Sequence, residues 1–523
     1  MQAFLVLAPV FVFLAVMLAV GFVIQKNSQK DRNKDFSKDY FIGGRSLSGF
    51  VLAMTLVATY SSVSSFVGGP GVAWQRGFGW VYFAMTQVLA VFLVMGVMGK
   101  KMAVIGRKID AVTVIDVIRV RYQSNLLASV GAVLIVVFFC ATMVAQFMGG
   151  ANLFAAAVQG LLTQDGQSIG GAALQGLDHN YIAGMFLFAL VVVVFTAVGG
   201  FKAVAVTDTI CAAVMLLGMS VIAYAILSHG GGLSGVMAVI NGQPHMLEPT
   251  AGGSLPVQIF LSQWLLTGVC TLGLPQSLVR NLSYKTSKDL HRAMLYGTVV
   301  VGAMMLGMHL LGVLSRGIIH TLPGATTDSV TPHLIVAYLP PLLAGMAIIG
   351  PLAASISTIS SLLIAASSSI IKDVYQHSVE RRGLEVDQKK IGRFSTIVTA
   401  LIGLACILAA VKPPTVIVWV NLFAFGGLQT SFFWVFLLGF FWRKANLTGA
   451  FLSMVGGVIL YCGFMAARIS LGGFHHIVVG IGAGLALFVF GSLTGRPSDE
   501  KVLKLFFPEH YPEGTKIEIP TKV

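Results

Sequence analysis

Thirteen long apolar runs constrain this chain more than any single motif does. They lie near residues 4–24, 47–68, 77–98, 125–158, 180–198, 206–228, 257–276, 293–321, 333–371, 394–411, 414–441, 447–468 and 474–493. A hydrocarbon layer about 30 Å thick is crossed by about 20 apolar residues in a helix, which satisfies its own backbone polar groups there. Each run therefore reads as a membrane span, the fourth and ninth being longer than one crossing needs. Composition serves as a check: 56% of the 523 residues are apolar and 10% charged, against about 45–50% and about 25% in soluble domains. That balance excludes a soluble enzyme, a disordered chain and a nucleic-acid binder, despite a formal net charge of +14.

The placement of the basic residues explains the charge. The first run has no basic residue before it and no small-residue cleavage site before Lys26, so it reads as a retained helix rather than a signal peptide. Thirteen spans put the termini on opposite sides. With the N-terminus outside and the C-terminus inside, 30 of the 34 Lys and Arg residues fall on the cytoplasmic side, leaving Arg76, Arg316, Lys412 and Arg468 outside. This is the asymmetry that positive-inside sorting produces, and it sets the basic face against anionic inner-leaflet lipid. The longest polar stretches are too short for a separate soluble core. The outer segments 159–179 and 229–256 are glycine-rich and lack Lys and Arg, and read as irregular caps. The cysteines Cys140, Cys211, Cys270, Cys406 and Cys462 are scattered singly, without the paired spacing of a metal or disulfide framework.

Ionisable groups inside a bilayer are costly and mark function where they occur. The runs hold few: Asp208 near the start of the sixth, Asp373 at the cytoplasmic end of the ninth, and His309 in the eighth. The expected class is thus neither a proton-relay carrier nor one that needs a carboxylate for an organic cation; His309 reads as a packed, hydrogen-bonded residue. No Ser-His constellation or His/Glu pairing within the runs suggests a membrane-embedded enzyme.

The spans offer hydroxyls and helix breaks instead. The second run places Ser61, Ser62, Ser64 and Ser65 before Gly68-Gly69-Pro70-Gly71, and the seventh is interrupted at Gly268, Gly273 and Pro275, five spans later. Broken helices at matching places in two halves point to a transporter's midplane site, because unwound carbonyls can hold a cation. Close packing by small residues is the plainer reading. In the ninth run Ala354, Ser357 and Thr358 share one helical face. One carbonyl and two hydroxyls there, facing two freed carbonyls of the second span, would form a neutral five-oxygen cage suited to a hard alkali cation.

Several segments make the chain resemble the sodium:solute symporter family. They are Asp39-Tyr40-Phe41-Ile42-Gly43-Gly44-Arg45-Ser46; Ala53-Met54-Thr55-Leu56 through Pro70-Gly71; Gly199-Gly200-Phe201-Lys202-Ala203 with Thr207-Asp208; Gly273-Leu274-Pro275 through Arg280 and Ser283-Tyr284-Lys285; Lys412-Pro413-Pro414 with Trp419-Val420-Asn421-Leu422; and Gly439-Phe440, Lys444, Gly449-Ala450 and Ser453. The similarity spans nearly the whole chain and leaves the tail uncovered. It implies an all-α polytopic membrane protein of about 13 transmembrane helices around a five-plus-five inverted-repeat core. The expected division is 1–46 for the first helix and a cytoplasmic loop, 47–228 for the first repeat (helices two to six), and 229–256 for an outer loop. The second repeat (helices seven to eleven) follows at 257–441, then the last two helices at 442–494 and a cytoplasmic tail at 495–523.

The resemblance also implies a sodium site made by the carbonyls of Ala58 and Ser61, the carbonyl of Ala354 and the hydroxyls of Ser357 and Thr358, with Asp208 beneath it helping the ion leave inward. The implied solute pocket is lined by Tyr60, Ser64, Ser65, Gln87, Thr267, Cys270 and Gln429. Sugar carriers of the family use an acid and an amide where this chain has Ser64 and Ser65, which argues against a sugar. Arg280 is a conceivable partner for a solute carboxylate, but the charge-based topology puts it near the cytoplasmic mouth. The expected activity is sodium-coupled import of a small organic anion, pantothenate first, by a multi-pass protein of the plasma (inner) membrane. Sodium is the co-transported ion, lipid the surroundings, and no obligatory protein partner or nucleic acid is implied. Another small carboxylate or proline is the alternative solute, and a passive channel or solute sensor on the same scaffold is the alternative class.

Overall fold

The computed structural model describes residues 2–30, 40–162, 179–384, 388–412 and 415–512. Among these, ten helices are long and apolar enough to cross a membrane, and two bent helix pairs add two more if each pair is one span. In chain order they are α1 Leu5–Ile24, the pair α2 Gly49–Tyr60 and α3 Ser64–Arg76, α4 Phe78–Lys108, α5 Asn125–Val158 and α6 Tyr181–His229. Next come the pair α7 Val257–Gly273 and α8 Pro275–Leu282, then α9 Ser287–Gly317, α10 Pro341–Glu380, α11 Lys390–Ala410, α12 Ile417–Phe441, α13 Leu447–Ala466 and α14 His476–Thr494. No strand forms among the described residues; Leu47 and Tyr284 make one isolated bridge. The chain is a multi-pass, all-helical membrane protein.

Three expectations are corrected by the backbone. The ninth run, read as one stretch over 333–371, is divided: a short helix Val330–Tyr338 ends before Pro340 and Pro341, and α10 begins there. Proline at the first helical positions and the extended residue before it make this a natural boundary. The fifth and sixth runs lie in α6, whose helix breaks at Gly200 (φ 63°, ψ −174°), a conformation that favours glycine. The second half therefore starts at Phe201, not near 206, and Asp208 lies two turns inside it rather than near its start. The outer segment 229–256, expected to be irregular, contains a helix, Gly232–Asn241, and a single 3-10 turn, Pro244–Met246. Most of 159–179, Pro413-Pro414 and the last part of the tail lie outside the described residues.

α10 is the most enclosed of the long helices and packs among α1, α5, α6 and α11, with α2 alongside. Lipid tails are as apolar as leucine, so burial of apolar surface does little to bring spans together; close backbone approach through small residues does. At the α6–α10 crossing, a Cβ on Gly218 would stand 3.0 Å from the Gly350 Cα. The start of α2 is fixed to the start of α9 by Asp289, whose carboxylate accepts from the Gly49 N–H at 2.9 Å while closing a capping box with Thr286.

Candidate functional site

The break between α2 and α3 begins at Ser61 (φ −90°, ψ 87°), and the two helices meet at 60°. Ser61 N–H still donates to Val57 O (2.8 Å), but Val63 N–H is taken by the side-chain oxygen of Gln146 on α5 (3.0 Å). Ser65 and Phe66 both donate to Ser62 O, starting the wide turns of Ser64–Gly68. Serines with short competing side chains, followed by glycines and a proline, make this the cheapest place in the span to unwind. The same Gln146 presents its backbone carbonyl to Ser355 Oγ of α10 at 2.8 Å, so one residue of α5 joins the break to α10.

At the end of α2 the Ser357 hydroxyl of α10 donates to Ala58 O (3.3 Å) and Ala354 O (3.1 Å), and Thr358 Oγ1 donates to Ala354 O (2.9 Å). Four of the five expected cation ligands are thus linked by direct hydrogen bonds, all at buried residues. The fifth, Ser61, is three residues on; its hydroxyl donates to the sulfur of Met304 on α9 at 3.2 Å, leaving the backbone carbonyl as the group that the cage would use. A hydroxyl carries two acceptor lone pairs, so rotation of Ser357 and Thr358 away from the carbonyls turns these donors into ligands for a hard cation.

One helical turn away along both helices lies a buried ionic layer. Asp208 of α6 accepts from Thr55 Oγ1 of α2 at 2.5 Å, and Arg280 of α8 places Nη2 3.9 Å from the same carboxylate oxygen. Arg280 also donates to Gln276 O (2.5 Å), to Ser361 Oγ of α10 (3.0 Å), and to Thr55 Oγ1 (3.2 and 3.3 Å). The second Asp208 oxygen, Oδ1, is buried with no hydrogen-bond partner. Thr55 is three residues before Ala58 and Ser361 four after Ser357, so this layer is about 5–6 Å from the cage. The sequence singled out Asp208 but not its pairing with Arg280, since ion pairs between residues 72 positions apart have no local signature.

The expected solute residues fall into two groups. Tyr60 is buried beside Arg280, with the hydroxyls of Ser277 and Thr271 as the side-chain neighbours of its own hydroxyl. Thr267 meets Thr86 of α4, hydroxyl to hydroxyl at 2.6 Å, and donates to Gln263 O; Gln429 of α12 donates to Leu266 O (2.7 Å). The side-chain oxygens of Gln263 and Gln429 and the Ser64 hydroxyl are buried and unpartnered. Buried polar atoms normally find partners, so such a concentration suits a polar ligand. Ser65 donates to Tyr60 O (3.4 Å), Cys270 is buried in the 3-10 turn Val269–Gly273, and Gln87 is half-buried next to Thr86. Thr86, Gln263, Gln276 and Ser277 were not foreseen. The chain tightens to a 3-10 turn at Thr86–Leu89, which shifts the helical phase and brings Thr86 to α7.

The other end of the broken span is enclosed. The Nδ1–H of His309 on α9 donates to Met305 O (2.6 Å) and the ring packs on Gly69, the hydrogen-bonded, packed placement expected for it. Thr327 packs on Gly71, and Asp328 accepts from Ile417 N–H at the start of α12 (2.9 Å). Burial pushes the Asp328 carboxyl up to about 7.

Comparison with known proteins agrees with this architecture. A sequence model of the Sodium:solute symporter family matches residues 40–457. The sodium/pantothenate symporter of Haemophilus influenzae is 39% identical over 464 residues, covering 88% of this chain and 91% of its own length. That of Escherichia coli is 38% identical, covering 87% and 90%. The osmoregulated proline transporter of Bacillus subtilis is 27% identical, covering 88% and 90%. Among solved structures, a substrate-bound, outward-open sodium-coupled sialic acid symporter superposes with a TM-score of 0.73 at 19% identity, covering 96% of this chain and all of its own, a likeness of fold.

Proposed function

Since the chain belongs to the sodium:solute symporter family, we propose that it is a secondary active carrier that imports pantothenate, a small organic anion, together with sodium. It is a transporter and not an enzyme. The solute assignment rests on the two sodium/pantothenate symporters, 39% and 38% identical over nearly nine-tenths of the chain. The observation that supports the ion site is the reach of Ser357 across to Ala58 O at 3.3 Å, which closes an α10 hydroxyl onto the unwound end of α2.

In this reading sodium replaces those hydrogen bonds with ion–oxygen contacts from Ala58, Ser61, Ala354, Ser357 and Thr358. It thereby holds α2 and α10 together. Tyr60 and Ser64 belong to the break itself, so fixing the break sets the solute side chains; Ser65, Gln87, Thr267, Cys270 and Gln429 complete the proposed pocket from α3, α4, α7 and α12. Coupling requires sodium to favour the state that binds solute well, because equal affinity for both states shifts nothing. Asp208, with one oxygen unpartnered one turn below the cage, accepts the ion as it leaves, and Arg280 keeps the carboxylate compensated when no ion is there. The two bent pairs, 60° in α2/α3 and 47° in α7/α8, open the two proposed repeats 47–228 and 257–441, as inverted-repeat carriers do.

Sodium-dependent uptake of labelled pantothenate into proteoliposomes tests the proposal. Accumulation above the outside concentration under an inward sodium gradient is the expected result. Full-rate uptake with only potassium or choline outside would overturn it, and competition by proline or other small carboxylates would move the assignment to that solute.

A further inference from the structure

Four basic residues fall on the side opposite the basic loops, and one of them, Arg76, is placed unlike a solvated surface charge. It ends α3, half-buried, with its guanidinium 5.9 Å from the Trp80 ring centroid and 5.8 Å from that of Trp419. The two tryptophans meet edge to face at 5.8 Å, joining the start of α4 to the start of α12. Among the described residues no carboxylate and no hydrogen-bond acceptor reaches Arg76. Arg316, on the same side, is satisfied: it lies 4.3 Å over Trp74 and donates to Gln243 Oε1 at 3.0 Å. Cation–π attraction to the rings uses none of the hydrogen-bonding capacity of a guanidinium, whose five N–H donors can grip a carboxylate bidentately. The buried indole N–H of Trp80 is also without an acceptor.

The position gives this charge a use. Arg76, Trp80 and Trp419 stand at the outer ends of α3, α4 and α12, and the deeper residues Ser64, Thr86 and Gln429 belong to the same three helices. Along α4 from Trp80 to Thr86 is about 9 Å, and along α12 from Trp419 to Gln429 about 15 Å. We propose that Arg76, held against Trp80 and Trp419, is an outer station that receives the carboxylate of the incoming solute before it reaches the polar groups deeper between those helices. The proposal rests on the reading of the solute as a small organic anion. A fixed cation at the mouth raises the local anion concentration and orients the solute acid end first, with the remainder directed inward.

The test compares wild type, Arg76→Gln and Arg76→Lys in proteoliposomes. The probes are pantothenate and, as a competitor, the neutral alcohol that has a hydroxymethyl group in place of the carboxylate. Arg76→Gln should raise half-saturation for pantothenate about tenfold, the loss expected for one charge-assisted hydrogen bond, with the maximal rate kept. Arg76→Lys should recover most of that loss, and the alcohol should compete equally with all three proteins. Unchanged half-saturation in Arg76→Gln, or an equal weakening for the alcohol, would overturn the proposal. A second readout is independent of the solute assignment: tryptophan emission of the purified carrier titrated with acetate and propionate. If wild type transports no pantothenate, the transport reading falls alone. A saturable emission change in wild type that is absent in Arg76→Gln then supports the station, and no such change overturns it.

Discussion

Arg280 Nη2 lies 3.9 Å from Asp208 Oδ2, with both side chains about 1% exposed, and Thr55 donates to the same carboxylate oxygen. The pair joins α6 to α8 one turn from the Ser357–Ala58 contact, so a buried charge and the proposed ion cage are neighbours. Removing one member of a buried pair strands the other, at about 3–5 kcal/mol. Asp208→Asn and Arg280→Gln should each lower the melting temperature of the purified carrier strongly, and the double variant should lose less than the sum. Strict additivity in that cycle would show that the two residues act separately.

Ser357→Ala and Thr358→Ala each delete one proposed hydroxyl ligand while leaving α10 intact. Sodium half-saturation should rise about tenfold or more in each, a cost of at least ~1.4 kcal/mol, and pantothenate half-saturation should follow at fixed low sodium because the two bindings are linked. Uptake measured against sodium concentration checks this. Unaltered sodium dependence in both variants would remove the cage.

Gln146 satisfies Val63 N–H with its side chain and Ser355 Oγ with its backbone. Gln146→Leu keeps the backbone link but leaves the Val63 amide buried without an acceptor, a loss of about 1–3 kcal/mol. The expected outcome is a lower melting temperature together with weaker sodium affinity, since the amide sits inside the α2/α3 break. A stability loss with sodium affinity unchanged would mean that the break keeps its shape without Gln146.

Arg121, between α4 and α5, ties the C-terminal segment to the end of α12. Its guanidinium donates to Gly439 O (2.6 Å), Ala445 O (3.0 Å) and Ser498 Oγ (3.0 Å), and lies 5.4 and 5.6 Å from the Phe506 and Phe507 rings. Arg121→Ala should free the helix Glu500–Phe506, seen as faster hydrogen exchange and proteolysis there. Protection equal to wild type would show that the apolar contacts of Val502, Leu505 and Phe506 hold the tail alone.

Asp328 gives a pH signature at the opposite end. Its carboxyl is pushed by burial from an ordinary 3.8 up to about 7. Between those values the folded chain holds a proton that the unfolded chain has released, so this group's contribution is full below the lower value and is lost as pH rises through the upper one. Asp328→Asn keeps the acceptor for Ile417 N–H and does not titrate. The melting temperature of the variant should therefore gain on wild type between about pH 4 and about pH 8; a constant difference would exclude the titration.

Much of this was legible in the chain because bilayer physics acts locally. A span must satisfy its own backbone, so apolar length marks Leu5–Ile24 or Ile417–Phe441 without reference to any neighbour. Serine and glycine before Pro70 mark an interruption for the same local reason, and the face shared by Ala354, Ser357 and Thr358 follows from helical period alone. What local rules left out is where phase or direction changes: the tight turn that presents Thr86 rather than Gln87 to Thr267, the start of α6's second half at Phe201, and the division of the ninth run before Pro341.

By itself, then, the sequence determined the helical spans, their breaks and the stock of neutral oxygens, because each depends on residues within a few turns of one another. Only the tertiary structure decided that Ser357 meets Ala58, that Arg280 compensates Asp208, that Gln146 braces the break, and that Arg76 rests on two tryptophans with no acceptor among the described residues. Those pairings depend on how spans cross, and in lipid the crossings are selected by close packing and hydrogen bonds between helices distant in the chain.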